Sequence, residues 1–146
     1  MKDAMAALMI SIVAAGTLPP GSVRAQITDS EPKLYLELNN LSVSETGCLA
    51  TFLIKNNFDS SLEKGAFEIV LFDKSKKINR LMILDFSPLT TGKTQVRQFD
   101  LAATRCDGIG RVLINDSASC EGGDLPDHAC LTRLETRTRQ QIEFGS

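Results

Sequence analysis

Four cysteines are the residues of this chain best suited to chemistry: Cys48, Cys106, Cys120 and Cys130. Their spacings of 58, 14 and 10 residues match neither the close Cys-x-x-Cys pair of a redox site nor the paired cysteines of a zinc site. An even number of cysteines is typical of a disulfide framework in a chain that enters an oxidising compartment. Four cysteines allow three pairings, and their number alone leaves all three open.

A metal site is the second chemistry to consider. Asp124, Asp127, His128 and Cys130 lie close together in sequence and combine oxygen, nitrogen and sulfur ligands. A single histidine in a loop rich in glycine and aspartate is more often a solvated residue, so these are weak metal candidates and no cofactor is expected. They define the alternative hypothesis, a small-ligand or metal carrier that uses the loop from Asp124 to Cys130.

Catalytic chemistry has little support. His128 is the only histidine, and no Gly-x-Ser-x-Gly motif accompanies it, so the elements of a Ser/His/Asp mechanism are not recognisable. Asp73 and Asp85 could form a carboxylate pair, but aspartates at strand ends are usually turn or cap residues. We therefore expect a protein that is not an enzyme, and we assign no catalytic residue.

Residues 1–25 have the organisation of a cleavable signal peptide. Lys2 supplies the positive start, and residues 4–15 form an apolar stretch too short to cross a membrane as a helix. Val23 and Ala25 suit the −3 and −1 positions of a cleavage site. We expect cleavage after Ala25, a leader over 26–32, one domain over 33–146 with no transmembrane segment, and a protein that is periplasmic or secreted.

Length and charge limit the domain count and the class of partner. The 146 residues carry a formal net charge of −2 and are 42% hydrophobic, which is typical of one globular domain. This balance excludes a strongly basic nucleic-acid binder. Two basic clusters are weak candidates for contact with another envelope protein: Lys74, Lys76 and Lys77 in a turn, and Arg133, Arg137 and Arg139 in the last strand.

Alternation of apolar and polar residues predicts short β-strands. Six segments show a period of two, or a short apolar run, between turn residues: 34–38, 48–55, 65–73, 78–86, 94–101 and 108–116. Val96 and Phe99 fall out of phase, which suggests a bulge near Arg97 and Gln98. Residues 117–127, rich in Gly, Asp and Ser, are expected to form a loop.

The segment 131–144 fits two structures. Leu131, Leu134 and Thr138 share a helical face, whereas Leu134, Thr136 and Thr138 share a strand face. The threonines favour a strand. About seven short strands without a convincing helix between them predict an all-β fold, an antiparallel β-sandwich.

Four short motifs lie in or beside the predicted strands: FLIKNN at 52–57, VLFD at 70–73, LTTGK at 89–93 and RQFDL at 97–101. Together they resemble small bacterial envelope sandwiches of the FxLYD-like kind, which implies an immunoglobulin-like fold. The chain departs from that family by carrying Phe72 in place of a tyrosine. The cysteine spacing and the Arg- and Thr-rich end resemble exported proteins of alphaproteobacteria. The resemblance implies a periplasmic sandwich and transfers no catalytic residue.

The immunoglobulin-like arrangement also implies a cysteine pairing. Cys48 opens the second predicted strand and Cys106 precedes the sixth, which resembles the bridge between the sheets of immunoglobulin domains. This favours Cys48–Cys106 and Cys120–Cys130, with Cys106–Cys120 as the competitor. The chain has no tryptophan, so it is not a standard immunoglobulin domain with a buried Trp against that bridge. We expect a disulfide-stabilised, non-enzymatic interaction module that docks onto an envelope protein complex.

Overall fold

A computed structural model describes Glu31, residues 33–126 and residues 128–146. The predicted signal peptide, and the leader apart from Glu31, lie outside these residues. The elements are β1 (Leu34–Val43), β2 (Gly47–Asn56), β3 (Lys64–Asp73), β4 (Ile78–Asp85), β5 (Thr94–Ala102), a short 3₁₀ helix (Cys106–Gly108), β6 (Ile109–Glu121), α1 (Ala129–Thr132), β7 (Leu134–Thr138) and β8 (Glu143–Gly145). None of the helices in this part of the chain is long and apolar enough to span a membrane.

The strands form two four-stranded sheets, which confirms the predicted all-β sandwich. The first sheet has the order β5-β2-β1-β7 and the second has the order β4-β3-β6-β8. The central pairs are antiparallel, as predicted. However, β7 is parallel to β1 and β8 is parallel to β6, so both sheets are mixed.

The parallel pairs follow from the path of the chain after β6. β6 ends at the same end of the sandwich at which β1 begins, and α1 carries the chain across to the first sheet there. β7 therefore starts beside the start of β1 and runs in the same direction. The chain then turns back, so β8 runs in the direction of β6 and pairs with it in the second sheet.

Phenylalanines fill the centre of the core between the sheets. The ring centroid of Phe52 lies 5.5 Å from that of Phe86 and 6.0 Å from those of Phe99 and Phe144. Aromatic pairs at such distances contribute about 1 kcal/mol each beyond the burial of their area. The aromatic cluster thus forms the middle of a sandwich whose chain contains no tryptophan.

The bulge predicted in β5 is wrong. β5 pairs with β2 over its whole length without a register shift, and Val96 simply points outward, 56% exposed. Arg97 points the other way, and its Nε and Nη2 donate to the carbonyl oxygens of Phe86 and Pro88 at 3.1 Å. An arginine can lie on the side of a strand opposite to Val96 because its aliphatic stem packs against its neighbours while its charged end reaches the edge of the sheet.

The predicted loop 117–127 is partly strand. β6 continues to Glu121, and its pairing with β3 contains three register shifts. Such bulges accommodate extra residues without ending a strand, which explains why the polar stretch after Ile114 still pairs. Of the segment 131–144, which fitted both a helix and a strand, residues 134–138 form β7, in agreement with its threonines, and 143–144 belong to β8. Its first two residues, Leu131 and Thr132, instead end α1.

Candidate functional site

Two disulfide bonds occupy all four cysteines, each of which lies in the described part of the chain. Cys48 bonds to Cys106 with a Cα to Cα distance of 5.1 Å, and Cys120 bonds to Cys130 at 5.8 Å. This is the pairing that the immunoglobulin-like arrangement favoured. The first bond joins β2 of the first sheet to the 3₁₀ helix that leads into the second sheet, and the other joins β6 to α1. The bonds leave no thiolate for redox or metal chemistry and are typical of an oxidising compartment.

Among the described residues of the loop from Asp124 to Cys130, the candidate ligands do not come together. The sulfur of Cys130 belongs to a disulfide, and Asp124 lines a groove of about 290 Å³ that also contains Arg133. His128 is exposed, and its backbone precedes α1 in the left-handed region with φ 63°. Asp127 lies outside the described residues. Within those residues, no three His, Cys, Asp or Glu side chains converge as metal ligands.

Asp73 and Asp85 cap turns near opposite ends of the hairpin made by β3 and β4. Asp73 Oδ1 accepts the backbone N–H groups of Ser75 at 2.8 Å and Lys77 at 3.0 Å. Asp85 Oδ1 accepts the backbone N–H of Ser87 at 2.9 Å. The Ser87 hydroxyl and backbone amide hold the pKa of Asp85 below its ordinary value. The two carboxylates therefore act as charged turn caps and do not form a pair.

The three arginines near the end of the chain are all ion-paired. Their guanidinium groups lie 2.8 to 3.3 Å from glutamate oxygens in the pairs Arg133–Glu31, Arg137–Glu135 and Arg139–Glu37. The Asn39 amide, followed by Arg139, lowers the pKa of Glu37. Exposed pairs of this kind contribute about 0 to 1 kcal/mol each. Their main effect is local neutralisation, so β7 presents no free basic surface.

The three lysines of the β3–β4 turn behave differently. Lys74, Lys76 and Lys77 are exposed, and in the described chain none of them lies within ion-pair distance of a carboxylate. Lys76 has a positive φ of 61°, as tight turns require. Three exposed ammonium groups therefore lie directly before the start of β4. Arg105 is the main cause of the lowered pKa of Asp107, and Lys74 adds to it.

An apolar surface on the outside of the second sheet was not predicted from the sequence. Phe72 lies opposite Ile78, and Val70 lies opposite both Leu81 and Leu113. Residues directly opposite on neighbouring strands share a face of the sheet. Adding Ile83, which follows Leu81 at a period of two, gives a set that we call the outer apolar face: Val70, Phe72, Ile78, Leu81, Ile83 and Leu113.

The part of this face that β4 contributes is in contact with solvent, whereas Val70 of β3 is only 4% exposed. Ile78, Leu81 and Ile83 of β4 are 68%, 56% and 62% exposed. Only two further large aliphatic side chains in the described residues exceed half exposure, Val43 and Val96, and both belong to the first sheet. The apolar run 81–84 was a signal for this surface, because an unbroken run places apolar residues on both faces of a strand.

Charged groups border the outer apolar face. The guanidinium carbon of Arg111 lies 5.7 Å from the centre of the Phe72 ring, at the end of the face near the three lysines. Its Nε lies 3.7 Å from Glu143 Oε2, so the basic character of this end comes from the lysines. At the other end Glu68 lies opposite Ile83 in the pairing of β3 with β4, and Asp85 ends β4. The surface is therefore an apolar band with a basic end and an acidic end, which is an arrangement suited to binding a protein surface.

Comparison with protein-family models finds no match, and neither the curated proteins nor the solved structures give a significant match.

Proposed function

We propose that this chain is an exported, non-enzymatic binding module that docks onto an envelope protein complex through the outer apolar face. The observation that carries the proposal is the row of three aliphatic side chains on β4 that are each more than half exposed. Soluble domains rarely expose contiguous apolar patches unless these bind something. The site is a surface and not a cleft, which suits a macromolecular partner.

The predicted export signal and the disulfides support the proposed location in the cell envelope. The predicted signal peptide directs the chain out of the cytoplasm, and two formed disulfides fit an oxidising environment. The resemblance of 52–57 and 70–73 to FxLYD-like envelope sandwiches favours a bacterial periplasm. The proposed setting is therefore the cell envelope, where the partner would also be found.

The lysine turn has a supporting role in this proposal. Lys74, Lys76 and Lys77 are exposed beside the first residue of β4, so an acidic surface on the partner would be attracted to this end of the face. Charges at the rim of an interface mainly increase the association rate and its dependence on salt. The arginines of β7 have no such role, because nearby glutamates already neutralise them.

A pair of matched double variants tests the docking surface. Leu81→Ser with Ile83→Ser removes the centre of the outer apolar face, and Val43→Ser with Val96→Ser changes aliphatic side chains elsewhere that are also more than half exposed. The wild-type protein is used to capture partners from an envelope extract, and the identified partner is then purified. We expect the first variant to weaken binding of that partner at least about tenfold, as loss of central interface contacts does, and the second to bind like wild type.

Equal binding by both variants would overturn the assigned surface. Recovery of the wild-type chain without any specifically bound protein would overturn the binding function itself. A third variant, Lys76→Ala with Lys77→Ala, should slow association and reduce its salt dependence while changing dissociation little.

A further inference from the structure

The edge of β4 differs from the other three sheet edges. β4 ends the order of the second sheet, so among the described strands it has a neighbour on one side only. The opposite edge of that sheet is β8, which has three residues. In the first sheet, β7 carries ion-paired charges, and the outward row of β5 is mostly polar. Proteins commonly protect edge strands by shortness or charge, and β4 has eight residues with an apolar outward row.

On the side of β4 that faces the first sheet, side-chain contacts between the two sheets close this edge. Arg80 Nη1 donates to the carbonyl oxygen of Ala102 at 2.6 Å, which ties β4 to the end of β5. Arg97 of β5 donates to Phe86 and Pro88 just beyond β4. These contacts span the two sheets at both ends of the edge. What β4 leaves open is the in-plane row of backbone N–H and C=O groups, together with the outer apolar face.

The residues of β4 are complementary to themselves in one register. We propose that a second copy of this chain pairs antiparallel with β4, with the two-fold axis at Met82. In that register Leu81 of each copy lies opposite Ile83 of the other, so two apolar pairs flank the axis on the outer face. Cross-strand aliphatic pairs of this kind stabilise antiparallel sheets.

The charges at the two ends of β4 agree with the same register. Lys76 and Lys77 precede the strand, and Asp85 ends it. Antiparallel pairing brings the basic end of each copy beside the acidic end of the other, so the two-fold axis produces two favourable contacts. A parallel arrangement would place the lysine turns of the two copies side by side, where like charges repel.

The dimer changes the docking surface as well as the oligomeric state. The second sheet of one copy and the second sheet of the other become one continuous sheet, and the two outer apolar faces join across the axis. The inference rests on the proposed function in this respect, because it makes the joined face the surface that meets the envelope partner. An isologous interface of this kind closes at two copies and leaves no further β4 edge exposed.

Sedimentation equilibrium tests the dimer on the full mature chain. We expect the wild type to dimerise, Ile83→Lys to dissociate at least about tenfold more readily because it places two lysines close to the axis, and Val96→Lys to match wild type. Ile83 and Val96 are similarly exposed, at 62% and 56%, so the two lysines differ mainly in location. A wild type that stays monomeric up to its highest soluble concentration overturns the inference, and so does a dimer that Ile83→Lys leaves intact.

A cysteine placed on the axis tests the register. Residues opposite each other in an antiparallel pair have Cα atoms about 4.5 to 5.5 Å apart, which is within the range that a disulfide bridges. Met82→Cys should therefore form a covalent dimer under mild oxidation, and Val96→Cys should not. Covalent dimers from Leu81→Cys but not from Met82→Cys would overturn the assigned axis.

The dimer and the proposed function can fail separately. A monomeric wild type whose envelope partner is still lost in the Leu81→Ser, Ile83→Ser variant refutes the dimer and supports the docking surface. A dimer with the predicted register that binds no envelope protein refutes the docking function and supports the dimer.

Discussion

A buried asparagine illustrates what single residues contribute to this fold. Asn56 is 1% exposed, and its Nδ2 donates to the carbonyl oxygens of Ser60 at 2.9 Å and Leu89 at 3.0 Å. Its Oδ1 accepts the backbone N–H of Phe58 at 2.9 Å. One amide therefore joins the loop after β2 to the loop before β5. The inward row predicted for β2, from residue 48 to residue 54, continues to Asn56, so its burial follows from the same alternation.

Replacing this amide should destabilise the domain. Asn56→Ala leaves the Ser60 carbonyl and the Phe58 N–H without these partners, whereas the Leu89 carbonyl keeps the backbone N–H of Leu62. Each unsatisfied buried group costs about 1 to 3 kcal/mol. We expect the free energy of unfolding to fall by about 2 to 4 kcal/mol in urea titrations, since the loop can relax in part. Asn57→Ala is the matched control, because Asn57 is only half-buried, and it should change stability by about 0.5 kcal/mol or less. Equal stabilities of the two variants would contradict this role for Asn56.

At the scale of elements, the central strands were predictable and the terminal ones were not. The strands 65–73 and 78–86 were predicted as successive strands of an antiparallel sandwich, and β3 and β4 do pair antiparallel. Local alternation and turn residues were sufficient there, because each of these strands pairs with its neighbour in sequence. The parallel pairs of β7 and β8 depend on contacts with strands far away in the chain. A pattern within 131–144 contains no information about those partners.

Strand order also explains why the outer apolar face was missed. The run 81–84 indicates a strand that is apolar on both sides, but sequence alone does not say which side is covered. The structure places β4 at an edge, with one row against the core and the other in solvent. The apolar residues of the candidate site were thus visible in the sequence. Their exposure to solvent could be assigned only once the neighbours of β4 were known.

The short last strand should contribute measurably to stability. Phe144 of β8 is partly buried against the core, and its ring lies 6.0 Å from that of Phe52. Phe144→Ala should lower the free energy of unfolding by about 2 kcal/mol, which is less than the cost at a fully buried phenylalanine because part of the ring is exposed. The control Glu143→Ala changes a side chain that is 75% exposed and should alter thermal stability little. If both variants melt together with the wild type, β8 does not secure the second sheet.

At the scale of the whole molecule, the disulfides fix the relation between the sheets. The immunoglobulin-like resemblance implied a bridge between the second strand and the start of the sixth, and the bond between Cys48 and Cys106 lies there. This prediction succeeded because the count of strands up to residue 116 was right, even though some boundaries and the number of later strands were not. The bond between Cys120 and Cys130 anchors α1, where the chain changes sheets.

Removing the two bonds should have unequal effects. The chain-entropy relation gives about 4 kcal/mol for the loop between Cys48 and Cys106 and about 3 kcal/mol for the loop between Cys120 and Cys130. Double alanine variants of each pair, compared by chemical denaturation, should therefore both be destabilised, the first more than the second. Peptide mapping without reduction should recover only these two pairs, and a peptide linking Cys106 to Cys120 would contradict them.

The two bonds also join the cysteines in the order in which they follow one another along the chain. Cys48 bonds to the next cysteine, Cys106, and Cys120 bonds to the next, Cys130. An oxidant that acts on the chain from its amino-terminal end, and that links each new thiol to the one still unpaired, would form both native bonds in succession. Oxidation in this order would need no reshuffling step that exchanges wrong pairs for right ones.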